Sequence, residues 1–175
     1  MYFDPSWAPD SNRIAFRGDD FVGFGIYVAD VDGRNVQQLT RHAGCPTWSP
    51  DGTKIAFSSF LSDSYGIHVM DTNGNNAQQL SSKSATSVAW SPDGTRIAFT
   101  CADNVTRPRW AGKDSNTNIC VIEVKGDNAQ TLTSVEGACS TLAWSPNSNR
   151  IAFASNDYET GGVFVMDADG EKGGG

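Results

Sequence analysis

Hydrophobic and polar residues alternate along this chain in runs that are too short for helices. Runs of four to seven residues, rich in β-branched and aromatic side chains, recur throughout, and clusters of Gly, Pro, Asn and Asp separate them. This pattern is typical of short β-strands joined by tight turns, whereas an amphipathic helix repeats its apolar positions every three to four residues. The chain is therefore predicted to be all-β.

The predicted strands form a repeat. The phrase Trp-(Ser/Ala)-Pro-(Asp/Asn)-x-x-(Arg/Lys)-Ile-Ala-Phe occurs four times, beginning at Trp7, Trp48, Trp90 and Trp144. Phrases close to Gly-Ile-x-Val-x-Asp and, in the first three copies, Gln-Gln-Leu-Thr follow it. A period near 42 residues with four strands per unit is typical of a β-propeller blade, because one small sheet buries both its faces only between neighbouring blades.

The repeat predicts one propeller domain, or part of one, over residues 1–170, followed by a Gly-rich tail at 171–175. We name the four strands of a blade a to d in chain order. The fourth copy has no third phrase, so its outer strand d is predicted to be missing, which leaves 15 strands. The four blades are predicted to lie approximately at 3–40, 44–81, 85–133 and 138–170.

The turn between strands a and b differs among the copies. In two copies it reads Ser-Pro-Asp-Gly, where Pro fixes φ at the second position and Gly tolerates positive φ at the fourth. Ser11 and Ser148 replace that Gly in copies one and four, which should make those two turns less favourable.

An arc of four blades that does not close would leave one apolar blade face at each end and an open strand edge at blade four. Exposed edges and apolar faces promote association, so self-association through the terminal blades is expected. Three arrangements stay open: an excerpt of a longer propeller, chains that assemble into a larger ring, with two copies making eight blades, and a closed four-bladed monomer.

The repeated phrases resemble the WD40-like repeats of the TolB-type β-propellers, whose consensus is close to W-S-P-D-G-x-x-I-A-F followed by I-Y-V-M-D-x-D-G and L-T. The match covers residues 3 to 170. The resemblance implies a propeller fold rather than one function, since such repeats recur in unrelated proteins. It also implies a periplasmic or extracellular setting, although the chain itself shows no export signal, so its location stays unknown.

Charge and hydropathy narrow the choice of partners. A formal net charge of -7 repels phosphate backbones, and no Lys/Arg cluster offsets it locally, so nucleic acid is not expected as a partner. No apolar run approaches the roughly 20 residues needed to cross a bilayer, so membrane insertion is not expected either.

Metal and cofactor sites have little support in the sequence, and no cofactor is predicted. Three Asp-x-(Asp/Asn)-Gly phrases look like the start of a calcium loop, yet no Glu follows at the twelfth position and a hairpin turn explains them. The four cysteines lack Cys-x-x-Cys spacing. Cys101 and Cys120 alone could meet easily, across one hairpin, and the sequence leaves open either a disulfide there or two small strand residues.

Catalytic residues are equally scarce, so the chain is not expected to be an enzyme by itself. It has two histidines and no Gly-x-Ser-x-Gly phrase. His68 aligns with strand-c packing positions of the other blades, and His42 lies on a d–a loop without a paired nucleophile or acid.

The b–c and d–a loops, which project to one face of a propeller, vary among the copies and are the expected binding surface. The b–c loop of blade three is about 12 residues longer than the others, and its Trp and basic residues are favoured interface anchors. The alternative is a loop that covers its own blade edge with Trp110 turned inward. The predicted partner-binding residues are Arg107, Arg109, Trp110, Lys113, His42 and Tyr158.

These observations favour a non-catalytic scaffold for a protein or peptide partner or for assembly. One alternative is the regulatory or substrate-gating propeller of an enzyme such as a peptidase, whose catalytic domain would lie elsewhere. The other is a carbohydrate-binding propeller that uses Trp110 and Tyr158.

Overall fold

The computed structural model describes residues 1–20, 23–83, 85–101, 117–126, 129–135, 139–155 and 161–170. Within these ranges all the regular structure is β-strand, and the strands form four separate antiparallel sheets. No helix in the described part of the chain is long and apolar enough to span a membrane. The chain divides into two compact units, Met1–Ser82 and Lys83–Gly175, and each unit holds two sheets.

The first unit contains blades one and two. In each blade the strands pair in chain order, β1-β2-β3-β4 and β5-β6-β7-β8, so every neighbour is joined by a turn or a short loop. The strands of blade one are β1 (Tyr2–Trp7), β2 (Arg13–Asp20), β3 (Gly23–Asp30) and β4 (Gln37–Arg41), and those of blade two are β5 (Ala43–Trp48), β6 (Lys54–Ser59), β7 (Gly66–Asp71) and β8 (Gln78–Ser81).

The second unit contains blades three and four, and its last sheet has three strands among the described residues. The strands of blade three are β9 (Val88–Trp90), β10 (Arg96–Cys101), β11 (Thr117–Glu123) and β12 (Gln130–Val135), and those of blade four are β13 (Cys139–Trp144), β14 (Arg150–Ser155) and β15 (Gly162–Asp167). The all-β fold of β-propeller blades, with four strands each and three in the last, is therefore confirmed.

Apolar side chains of neighbouring blades share one core within each unit. In the first unit, Ile26 and Val28 of strand c join Trp48, Ile55 and Phe57 of the next blade in one buried cluster. Burying a side chain of this kind contributes about 1.5 to 3 kcal/mol. The corresponding cluster of the second unit joins residues of β11 to residues of β13 and β14, namely Ile119, Val121, Leu142, Ile151 and Phe153.

The Trp and the basic residue of the repeated phrase meet between blades. The guanidinium carbon of Arg13 lies 4.8 Å from the ring centroid of Trp48 in the following blade. In the second unit the guanidinium carbon of Arg96 lies 4.9 Å from the Trp144 ring, whose Nε1 donates a hydrogen bond to the Ala89 carbonyl at 3.0 Å. Such cation–π contacts contribute about 0.5 to 2 kcal/mol, so the phrase encodes contact between blades as well as a turn.

Side-chain hydrogen bonds close the a–b turns. In blade three the Ser91 hydroxyl donates to Asp93 Oδ1 at 2.7 Å, and the Thr95 amide donates to the same oxygen at 2.9 Å. These bonds favour the charged carboxylate and lower the pKa of Asp93 to about 2. The turn of blade two repeats the arrangement through Ser49 and Asp51, and the pKa of Asp51 is likewise lowered.

Ser11 and Ser148, which replace the turn Gly, both adopt φ 59°, the left-handed region that favours glycine. Their surroundings differ. Ser148 is buried, and its hydroxyl accepts a hydrogen bond from the Asp93 amide of the preceding blade at 3.0 Å. Its carbonyl also accepts a bond from Arg96 Nη2 at 2.6 Å. Ser11 is exposed, so only Ser148 offsets its backbone cost with a contact between blades.

In every blade the Phe of strand b lies opposite the same position of strand c. Phe16 stacks on Tyr27 with ring centroids 5.8 Å apart. In blade three the residue opposite Phe99 is Cys120, which forms a disulfide with Cys101. The sequence left open whether these cysteines form a disulfide or are two small strand residues, and the structure shows the disulfide. The same stacking occurs in blades two and four, through the pairs Phe57–His68 and Phe153–Phe164.

Replacing Ser11 with Gly is expected to stabilise the fold by about 0.5 to 1 kcal/mol, since Gly adopts positive φ without steric cost. The matched variant Ser148→Gly gains the same freedom but removes the acceptor of the Asp93 amide, a loss of about 1 kcal/mol, so no net gain is expected. Urea denaturation of both variants measures the difference. Equal stabilisation by both would contradict the role given to the Ser148 hydroxyl.

Reducing the Cys101–Cys120 disulfide is expected to destabilise the protein by roughly 3 kcal/mol, because the bridge joins cysteines 19 positions apart and so restrains the unfolded chain. Thermal unfolding with and without dithiothreitol measures the effect. The double variant Cys101→Ser/Cys120→Phe recreates the Ser155 and Phe164 of blade four and serves as the control. Its unfolding temperature should not respond to reductant; an equal response would show that another cysteine is responsible.

Candidate functional site

Aromatic and basic side chains gather at the b–c and d–a ends of the two blades in the first unit. One comes from within β2 and the others from the ends of strands or the loops beside them, so regular strands hold the group in place. We call this group the loop-end cluster; it consists of Arg17, Phe24, His42, Phe60 and Tyr65.

The rings of the loop-end cluster form a chain of contacts centred on Phe24. The Phe24 centroid lies 5.7 Å from His42 in an edge-on arrangement and 5.8 Å from Phe60. Phe60 in turn lies 6.4 Å from Tyr65. Aromatic pairs prefer such tilted and edge-to-face geometries at these separations. Phe24, Phe60 and Tyr65 are half-buried and His42 is exposed, so part of the cluster faces solvent.

Arg17 gives the cluster its positive charge. Its guanidinium carbon lies 4.5 Å from the Phe24 centroid and 5.5 Å from that of Phe3, and its Nε donates to Asp19 Oδ1 at 3.3 Å. A Cβ added at Gly44 would lie 3.3 Å from Arg17 Cδ, which shows how closely the arginine stem passes over the backbone. The stem is therefore packed, and the guanidinium is paired with the Asp19 carboxylate, with 26% of the side chain accessible to solvent.

His42 holds the cluster together through its backbone. Its amide donates to the Phe24 carbonyl at 2.7 Å, and its carbonyl accepts from the Phe60 amide at 2.8 Å. The residue adopts φ 52°, a left-handed value that is uncommon outside glycine and that Asn, Asp and His adopt more often than other residues. His42 thus links the b–c loops of two blades, and its imidazole lies on the rim of the cluster.

Of the six residues predicted to bind a partner, the structure describes His42 and places it in the loop-end cluster. The other five lie outside the described residues, so their roles stay predictions. They are Arg107, Arg109, Trp110, Lys113 and Tyr158.

Sequence reasoning identified the loops of this face but missed the ring cluster. A signal was present, because an aromatic residue, Phe24 or Tyr65, stands directly before the Gly of the second phrase in blades one and two. Blades three and four have Thr117 and Gly161 there. Aromatic residues at this position, which the other two copies lack, therefore indicated a cluster at this end of blades one and two.

His68 belongs to the core, as predicted. It is buried, stacks on Phe57 with centroids 5.4 Å apart, and places Nδ1 3.2 Å from the Gly66 carbonyl oxygen. Burial lowers the pKa of His68 below its ordinary value, and the hydrogen bond with Gly66 opposes that shift less strongly.

The acidic phrases that resemble a calcium loop serve the c–d turns. A carboxylate oxygen of Asp30 accepts a bond from Asn35 Nδ2 at 2.6 Å, and Asp71 accepts from Asn76 Nδ2 at 2.7 Å. Lys54 Nζ lies 2.8 Å from the other oxygen of Asp71, and the pKa of Asp71 is lowered by these bonds. Among the residues whose positions are described, no group of three or more His, Cys, Asp or Glu side chains is placed to hold a metal ion.

The blades and their repeated contacts define a β-propeller protein. The family model of the TolB beta propeller domain matches residues 1–109, and the chain belongs to this family. This confirms the resemblance seen in the repeated phrases. No protein of curated function matches the chain in sequence.

Solved structures resemble the chain over nearly its whole length. TolB from Acinetobacter baumannii matches 96% of it at 24% identity with a TM-score of 0.73, and the chain covers 41% of that protein. Oligogalacturonate lyase in complex with manganese matches 97% at 13% identity with a TM-score of 0.74, with 50% of that protein covered. A nidogen/laminin complex matches 93% at 14% identity with a TM-score of 0.67, with 60% covered. At these identities the likeness concerns the fold alone, and the chain spans about half the length of these proteins.

His68 should make the fold sensitive to pH. Its pKa is lower in the folded than in the unfolded protein, whose value is near 6.5, so its contribution to stability is present above that pH and is lost as pH falls toward the folded pKa. The unfolding temperature is expected to drop more between neutral and mildly acidic pH than in His68→Phe, which copies Phe164 of blade four. Parallel pH profiles of the two proteins would contradict this assignment.

Proposed function

We propose that the protein is a non-catalytic propeller scaffold that binds a protein or peptide partner through the loop face carrying the loop-end cluster. The observation that carries the proposal is the Phe24 ring, which lies beneath the Arg17 guanidinium and contacts Phe60 of the next blade. Rings and arginine held on a rigid scaffold are the residues in which interface cores are enriched.

The chemistry of the cluster favours a particular kind of ligand. Half-buried rings offer an apolar surface whose desolvation favours binding, and Arg17 adds a donor for a carboxylate or a backbone carbonyl. An apolar or aromatic side chain flanked by an acidic residue matches both features. A peptide or protein segment supplies such a pair more readily than a small molecule does.

The relatives support a protein partner without identifying it. The chain belongs to the TolB family and resembles a protein of a nidogen/laminin complex in fold. The Cys101–Cys120 disulfide supports an oxidising compartment, such as the periplasm that the family resemblance implies.

A second candidate is the propeller portion of an enzyme or of a carbohydrate-binding protein. The fold likeness to oligogalacturonate lyase favours it, as does the pair Trp110 and Tyr158, since indole and phenol rings stack on sugars. A glycan array separates the candidates: sugar binding that is lost in Trp110→Ala would favour the second. The full-length gene would show whether a catalytic domain accompanies the propeller.

Selection of a displayed random peptide library on the protein tests the leading proposal. Selected peptides are expected to carry an apolar or aromatic residue next to an acidic one, and Phe60→Ala should raise their Kd at least tenfold, about 1.4 kcal/mol. Val31→Ala, at an exposed c–d turn outside the cluster, is the matched control and should leave Kd unchanged. Thermal unfolding of each variant confirms that it is folded.

Deletion of residues 107–113 tests the remaining predicted contacts. The deletion is expected to leave the fold intact and to weaken binding of the same peptides. Peptides that bind equally to the deletion variant, to Phe60→Ala and to the native chain would show that the partner uses another surface.

A further inference from the structure

One side of blade one brings charged and aromatic residues together beside the core that it shares with blade two. Phe3 of β1 lies opposite Arg17 of β2, and Asp19 of β2 lies opposite Phe24 of β3. Residues that pair directly, like residues two positions apart on one strand, project from the same side of a sheet. Ile26 also pairs with Arg17 and is buried in the core shared with blade two. Arg17 and Asp19 therefore lie on the side of blade one that faces blade two.

Packing holds the Arg17 side chain in place. Its Cδ lies 3.3 Å from the position that a Cβ at Gly44 would take. Its guanidinium carbon lies 4.5 Å from the ring centroid of Phe24 and 5.5 Å from that of Phe3. A stem that packs on backbone and a guanidinium that contacts two rings are both restrained by these contacts. Asp19 is therefore not needed to position the guanidinium.

The bond between Arg17 and Asp19 is single and long. Nε of Arg17 donates to Asp19 Oδ1 at 3.3 Å, whereas hydrogen bonds between charged partners are typically about 2.7 to 2.9 Å. Among the residues that the structure describes, none accepts a hydrogen bond from Nη1 or Nη2 of Arg17. The two side chains keep 26% and 34% of their accessible surface. The guanidinium of the free protein is therefore only partly satisfied and is accessible to solvent.

A carboxylate supplied by a partner matches this guanidinium better than Asp19 does. The planar fork of an arginine binds a carboxylate through two parallel hydrogen bonds when the geometry allows it. Asp19 stands two positions from Arg17 on the same strand and reaches Nε alone. A carboxylate that approaches from solvent is not tied to the strand, so it is free to form both bonds.

We propose that Asp19 is an internal counter-ion of Arg17 and that a carboxylate of the bound partner replaces it. Asp19 occupies the guanidinium in the free protein, and in the complex it turns to solvent while the partner's carboxylate binds Arg17. Asp19 thus sets how strongly the loop-end cluster prefers acidic ligands. The inference rests on the proposed function, because it concerns the ligand of the same cluster.

The exchange replaces one ion pair with another. Breaking the Arg17–Asp19 pair offsets part of what the new pair contributes, and the displaced Asp19 repels the incoming carboxylate. A protein without the Asp19 charge would gain a complete ion pair on binding. Removing this charge should therefore strengthen binding of acidic ligands and make that binding more sensitive to salt.

Isothermal titration of Asp19→Asn with the acidic peptides selected from the displayed library tests the exchange. The peptides are synthesised with acetylated and amidated ends, so that only their side chains carry charge. Their Kd is expected to fall about two- to fivefold relative to the native chain, the range that partly exposed ion pairs give. High salt should then reduce this gain. The same peptides with Gln in place of the acidic residue should bind both proteins equally.

Two further protein variants serve as controls. Asp63→Asn removes the same charge from the exposed b–c loop of blade two and should leave the Kd nearly unchanged. In an Arg17→Ala background, Asp19→Asn should have no effect, because the guanidinium that both carboxylates bind is absent. Gln peptides with a free C-terminus show whether a terminal carboxylate replaces Asp19 as an acidic side chain does.

The outcomes separate the exchange from the proposed function. An unchanged Kd in Asp19→Asn overturns the exchange, as does an equal gain for the Gln peptides. A raised Kd in Asp19→Asn overturns it too, because Asp19 would then position Arg17 for the ligand. If Phe60→Ala still weakens binding in these cases, the proposed function stands without the exchange. Peptides that ignore both Phe60→Ala and Asp19→Asn overturn both proposals.

Discussion

Each blade of this protein is a small sheet with two apolar faces, and only another blade covers them. Within each unit, strand c of one blade and strands a and b of the next share a single core. An isolated sheet of this size is marginal in water, because its two faces would both stay hydrated. The buried contact between neighbouring blades is therefore what stabilises each sheet, and the positions of the strands, turns and loops follow from it.

The repeated phrase places a Trp, a turn and a basic residue where that contact needs them. Arg96 reaches forward to Trp144 and to the Ser148 carbonyl of the next blade, so three positions of one short phrase act across a blade boundary. The loop ends of blades one and two, by contrast, carry aromatic residues that differ between copies, Phe24 and Tyr65.

Much of the fold was predictable because it repeats locally. Alternating runs and Gly or Pro turns predicted the strands, the period predicted the blades, and the absent third phrase predicted the three-stranded last blade, all of which agree with the described sheets. The positive φ at Ser11 and Ser148 followed from their alignment with turn glycines. Each of these features is fixed by neighbours in sequence, so a sequence pattern reports it.

The site was less predictable because it depends on contacts between distant segments. Phe24 comes from the start of β3, His42 and Phe60 come from two loops, and the three meet only when two blades pack. The disulfide was ambiguous for the same reason, since spacing alone does not distinguish bonded cysteines from small strand residues. His42 was singled out for its imidazole, whereas the structure uses its backbone to join the two blades.

The most direct test of this account is a double-mutant cycle across the boundary between blades three and four. The free energy of unfolding is measured for Arg96→Ala, Trp144→Ala and the double variant. A coupling of about 0.5 to 2 kcal/mol is expected, because the guanidinium carbon lies 4.9 Å from the ring centroid. Additive effects, with a coupling below about 0.3 kcal/mol, would contradict the claim that the repeated phrase stabilises the fold through its neighbour.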